Sequence, residues 1–172
     1  MVLQKSFIHG NSIIAERVGG GNVSSPGPLL SPDGVPWSDV VGLPRGWGKT
    51  YKGKRNEEVW FHAAIPTPAI DSSREVRLNT VFLFFETEAN NRSFMKEVQV
   101  WDGKISITHI QNLTSQGDLS MPQSGVNTFD PREANNALHP MQFGLGISML
   151  FHFNEEAEIT FFSAGADFLI MD

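Results

Sequence analysis

Val98-Gln99-Val100-Trp101-Asp102-Gly103-Lys104-Ile105-Ser106-Ile107 decides the fold class, because apolar and polar residues alternate on both sides of an Asp-Gly pair. Alternation with period two is what a strand with one buried face needs, and Asp-Gly readily adopts the backbone angles of a two-residue hairpin turn. The stretch reads as two antiparallel strands joined at Asp102-Gly103. The same pattern continues outward. Gly10-Asn11 lies between Ser6-Phe7-Ile8-His9 and Ser12-Ile13-Ile14-Ala15 and reads as a second hairpin. Asn154-Glu155-Glu156 reads as a third, between a run with Leu145, Ile147, Met149, Phe151 and Phe153 in alternation and one with Ile159 and Phe161.

Two further strands complete the pattern. Glu57 to Ile65 places Val59, Phe61, Ala63 and Ile65 on one face and stops at Pro66 and Pro68, which cannot donate to a sheet. From Arg74 to Thr87, strict alternation puts Val76, Leu78, Phe82 and Phe84 on one face and Val81, Leu83 and Phe85 on the other. Two apolar faces predict a central strand. Gly19 to Pro36, with Gly19-Gly20-Gly21 and four prolines, and Gln111 to Pro140 break the pattern. In the second, Asp130-Pro131-Arg132-Glu133 has the cap, the first-turn proline and the back-reaching Glu of a helix start, so at most one short helix is predicted. The expectation is one all-β domain over 1–172, an antiparallel two-sheet sandwich of jelly-roll-like type. It has about eight strands, with irregular insertions over 19–56 and 111–140.

Composition excludes several classes of function. The 172 residues contain no cysteine, which removes thiolate nucleophiles, thiolate metal sites and disulfides. A net charge of -6 with 13 basic residues argues against nucleic acid, whose phosphates call for a clustered basic surface; Lys49 to Arg55 is the one local basic run. The longest apolar run, Val81-Phe82-Leu83-Phe84-Phe85, is far short of the roughly 18 residues of a membrane span. Met1 to Gly10 lacks the basic start and apolar stretch of a secretory signal, which predicts a soluble chain, cytoplasmic or exported by a non-classical route.

Local catalytic motifs fail on spacing. Gly42-Leu43-Pro44-Arg45-Gly46-Trp47-Gly48-Lys49-Thr50 has five residues where a phosphate-binding loop has four, and reads as a glycine-rich turn between strands. Gly146-Ile147-Ser148-Met149-Leu150 lacks the second glycine of a nucleophile elbow. Ser148 and His152 share a strand face, but four residues separate them by roughly 13 Å. The five histidines are too dispersed for a metal pair, so neither a metal nor a cofactor is expected. Trp37, Trp47, Tyr51, Trp60 and Trp101 lie in or beside polar, Gly-rich segments, where amphipathic rings suit flat ligands such as sugars, or a partner protein.

Several phrases together resemble a family of small bacterial β-sandwich proteins of unknown function. They are Ile8-His9-Gly10-Asn11, Gly46-Trp47-Gly48-Lys49-Thr50-Tyr51-Lys52-Gly53, Trp60-Phe61-His62 running into Ile65-Pro66-Thr67-Pro68, and Val98 to Gly103. Gly144-Leu145-Gly146-Ile147-Ser148 and Ser163-Ala164-Gly165-Ala166-Asp167-Phe168 belong to the same pattern. The resemblance implies a β domain around the Gly-Trp-Gly-Lys-Thr stretch and carries no activity.

The function expected from the sequence is a non-catalytic module that binds a ligand, carbohydrate being the best guess, or assembles with itself as a homo-oligomer. Trp37, Trp47, Lys49, Tyr51, His62, Trp101 and Asp102 are the candidate binding residues. One alternative is an enzyme whose site is assembled across strands, with His62, His109 or a turn aspartate as acid or base. Another is a structural subunit of a surface assembly, with residues 1–9 inserting into a neighbour.

Overall fold

Alternating side chains build two antiparallel sheets whose apolar faces meet. The computed structural model describes residues 1–16, 42–68, 74–88, 90–132 and 137–171, together with the backbone of 29–30 and 36–37. The strands in chain order are β1 (Val2–His9), β2 (Ile14–Ala15), β3 (Leu29–Leu30), β4 (Pro36–Trp37), β5 (Leu43–Arg45), β6 (Gly48–Gly53) and β7 (Glu57–Ile65). They continue with β8 (Glu75–Thr87), β9 (Ser93–Asp102), β10 (Ile105–Ile110), β11 (Asp118–Leu119), β12 (Thr128–Phe129), β13 (Leu145–Phe153) and β14 (Ala157–Met171). More strands are present than the eight expected: among the described residues, eight have six residues or more and six have only two or three.

The first sheet is organised on β14, which pairs with β8 along one side and with β6 and then β1 along the other. β5 extends it beyond β6, while β11 and β12 flank β8. The second sheet runs β10-β9-β13-β7-β2. β3 and β4 pair with each other.

Between the sheets lies an aromatic nest. The Phe151 ring meets Phe61, Phe85 and Phe161 edge-on, at centroid distances of 5.6, 5.1 and 5.4 Å. Tyr51 closes the nest against Phe61 at 4.9 Å. Edge-to-face contacts of this kind add about 0.5–1.5 kcal/mol each to the burial itself.

The two-sheet sandwich holds, but the connections differ from the sequence reading. Asp102-Gly103 does join a hairpin, β9 to β10, with the turn one residue later: Asp102 pairs with Ile105, and Gly103, at φ 56°, starts the turn. The other two expected hairpins are crossings. At Gly10–Ser12 a single 3-10 turn takes the chain from β1 in the first sheet to β2 in the second, and a Cβ on Gly10 would overlap the Phe161 carbonyl. Asn154 to Glu156 likewise carries β13 in one sheet to β14 in the other. A short polar connector is compatible with either path, and the apolar face it leaves to be covered decides between them.

β8 also departs from strict alternation. Asp167 pairs with Thr80 and Phe168 with Leu78, so Asn79 is an extra residue, a β-bulge. Past the bulge the faces exchange: Val76, Leu78, Val81, Leu83 and Phe85 are all buried, and Phe82 and Phe84 turn outward. The expected partition of Phe82 and Phe84 with Val76 and Leu78 is therefore corrected. β6 supplies regular structure inside the expected irregular stretch 19–56. The helix start expected at Asp130-Pro131-Arg132-Glu133 lies partly outside the described residues; Arg132 forms a β-bridge with Leu138.

Candidate functional site

The sequence candidates separate into three groups. Tyr51 belongs to the core, 3% exposed, with its hydroxyl donating to the Ile13 carbonyl at 2.5 Å. Burial pushes its pKa up to about 12, against a smaller downward pull from the backbone of Ala15. Lys49 lies with its Nζ 5.3 Å from the Tyr51 ring, and burial lowers its pKa. Trp47 stands 63% exposed on the β5–β6 turn with the Arg45 guanidinium over its ring. The expected turn between strands is there. The side chain of Trp37 lies outside the described residues.

Asp102 is a structural post rather than a surface binding group. It is fully buried at the end of β9, where its carboxylate accepts from the backbone N–H groups of Gln142, Phe143 and Gly144 at 2.7, 2.8 and 2.9 Å. His139 Nε2 stands 3.2 Å from the same carboxylate. Burial pushes the Asp102 pKa up, but the three N–H groups and His139 outweigh it and hold the acid below the usual carboxylate value. Asp102 thereby fixes the segment that leads into β13.

His62 and Trp101 come together on the outer face of the second sheet. Register places His62 of β7, Ser148 of β13, Gln99 of β9 and His109 of β10 in one row across four strands. The adjacent row is Ala64, Gly146, Trp101 and Ser106. At about 4.8 Å per strand each row spans roughly 14 Å. The His62 Nδ1 is 2.9 Å from Ser148 Oγ and its Nε2 is 2.9 Å from Glu16. His109 is held by Glu97 at 2.8 Å. Farther along the face, Glu58 meets Lys96 at 2.8 Å and His152 at 3.3 Å. The Lys96 hydrogen bond draws the Glu58 pKa down, opposed by partial burial and reinforced by His152.

Gly146 gives this face its shape. It lies in the middle of β13 facing outward, and a Cβ there would meet only Trp101 Cβ, at an ordinary 3.8 Å. Neither crowding nor a positive φ requires glycine at this position. A mid-strand glycine weakens a sheet, and one use for it is to let a ligand approach the backbone closely. Beside the polar row, the strands therefore carry no side chain at Gly146 and only a methyl at Ala64, next to the Trp101 ring.

Glu16, His62 and Ser148 form a carboxylate–imidazole–hydroxyl chain, with the ring turned opposite to a hydrolytic triad, Nδ1 to the serine and Nε2 to the acid. Sequence reasoning missed this group because 46 and 86 residues separate its members. The serine, moreover, is not on a strand-to-helix turn. It sits inside β13, which is paired on both sides, so the surrounding backbone N–H groups are engaged in ladders and none is left to receive an oxyanion. Among the described residues no three of His, Asp and Glu converge to hold a metal ion.

Fold and face together define a two-sheet β-sandwich whose second sheet carries Trp101 beside a polar row on its outer surface. No protein-family model matches the chain, and no curated protein matches it.

Proposed function

We propose that the chain is a non-catalytic carbohydrate-binding module that takes a glycan on the outer face of its second sheet. The observation that carries this reading is the side-chain-free position at Gly146 beside the Trp101 ring and the polar row. A pyranose presents an apolar C–H face suited to an indole and hydroxyls suited to side chains that both donate and accept. The row of His62, Ser148, Gln99 and His109 offers such groups next to that ring. Glu16, Glu58 and Glu97 on the same face favour a neutral glycan over an acidic one.

Titration of neutral oligosaccharides, monitored by tryptophan fluorescence and calorimetry, tests the reading. Binding is expected, with Trp101→Ala and Gly146→Leu each weakening it at least tenfold while the fold is kept. A screen of neutral glycans with no response, or a response indifferent to both substitutions, removes it.

A further inference from the structure

The first strand presents an edge unlike the others. β1 pairs with β14 through eight consecutive positions without a register shift, from Val2 opposite Ile170 to His9 opposite Ser163. Among the described residues no strand pairs with its other side. Of the other borders, β2, β5, β11 and β12 have two or three residues and β10 is bulged between Ser106 and Thr108, while β7, which pairs with β2 only at Phe61 and His62, carries the charges of Glu57 and Glu58. β1 has no proline and no bulge. Its single charge, Lys5, is held 3.1 Å from Asp167 and lies over the Phe82 ring at 5.5 Å.

We infer that the free edge of β1 pairs with the same edge of a second copy, antiparallel and about a two-fold axis through Ser6. Alternate residues of β1 turn their backbone N–H and C=O groups away from β14, and among the described residues no strand meets them; another strand can complement them, and an identical edge supplies one in a closed, self-complementary dimer. Charge points to the same partner. The chain carries -6 overall, yet Met1 to Asn11 contains one lysine and no acidic residue, so two copies meet where they repel least. Centring on Lys5 would set like charges directly opposite, which is unfavourable. Centring on Ser6 instead sets Lys5 opposite the partner's Phe7, a ring tilted against Phe82 at 5.7 Å and 41% exposed.

Rotation about an axis normal to the sheet leaves both Trp101-bearing faces pointing the same way. On the carbohydrate reading, which the pairing itself does not need, the dimer grips a glycan-coated surface at two points.

Sedimentation equilibrium over a wide concentration range tests the pairing, with mass expected to rise from 19.0 kDa to twice that value. Ser6→Glu places two carboxylates face to face and should weaken association at least tenfold with the circular dichroism unchanged. Because the chain has no cysteine, Ser6→Cys should form a disulfide-linked dimer on mild oxidation, and Ser106→Cys on β10 should not. A monomer at every concentration, undiminished association in Ser6→Glu, or equal cross-linking at both positions overturns the inference. Binding of free oligosaccharide should be the same for Ser6→Glu and wild type, whereas binding to an immobilised glycan layer should fall about a hundredfold. Loss of all glycan binding with the dimer intact would remove only the carbohydrate reading.

Discussion

Replacing Asp102 by asparagine probes how firmly the segment before β13 is held. One asparagine oxygen can still accept from Phe143 and Gly144, now without a formal charge. The amide NH2 then faces the Gln142 N–H, formerly bonded at 2.7 Å, so a donor meets a donor in a fully buried position. Leaving one buried N–H unsatisfied costs about 1–3 kcal/mol, and hydrogen bonds to an ion are about twice as strong as neutral ones. The substitution should therefore destabilise the protein by about 2–4 kcal/mol, a large part of the roughly 5–15 kcal/mol typical of a domain. Urea denaturation should show a lower midpoint with an unchanged slope. The folded-state pKa of Asp102 is depressed, so its contribution is present above the unfolded value of about 3.9 and is lost as pH falls through the folded value. The difference between wild type and Asp102→Asn should accordingly shrink below about pH 4. A variant within about 0.5 kcal/mol of wild type at neutral pH would refute this account of the carboxylate.

Phe151→Ala empties the centre of the aromatic nest and should cost about 3–5 kcal/mol in the same denaturation assay. The lone tyrosine, Tyr51, makes a clean titration: tyrosinate absorbance in the folded protein should appear only as pH approaches about 12. Since an unfolded tyrosine ionises near about 10, that part of the stability is present below about pH 10 and is lost as pH rises toward the folded value. Trp47→Ala should change stability by no more than about 0.5 kcal/mol, because the ring is exposed on a turn; a larger loss by thermal melting would show an unrecognised contact.

Strand identity was legible because burial imposes period two: Leu145, Ile147, Met149, Phe151 and Phe153 all face the core as their alternation requires. Connection and pairing were not. Gly10-Asn11 and Asn154-Glu155-Glu156 look like hairpin turns locally, and only the need to cover both apolar faces sends the chain across. The bulge at Asn79 was invisible for a similar reason, since Phe82 and Phe84 are as apolar as the residues they were grouped with. His62 and Trp101 were picked out, but their shared face depends on β13 lying between β7 and β9. Gly146 was the available signal, a glycine inside an otherwise regular strand. Asp-Gly marks a turn and makes Asp102 a binding candidate; the strand instead ends on it with its carboxylate buried.

The central place of β14 has a consequence for biosynthesis. β1, β6 and β8 are all translated before it, and each takes a place in the first sheet by pairing with it. Until its fifteen residues have left the ribosome, β6 has only the short β5 and β8 only the two-residue β11 and β12 to pair with, and the second sheet has no complete lid. The strands of the second sheet can pair before β14 emerges, but the first sheet closes only with it. The nascent chain must be kept from aggregating until β14 emerges, and a premature stop anywhere before Ala157 removes the strand on which the first sheet is built.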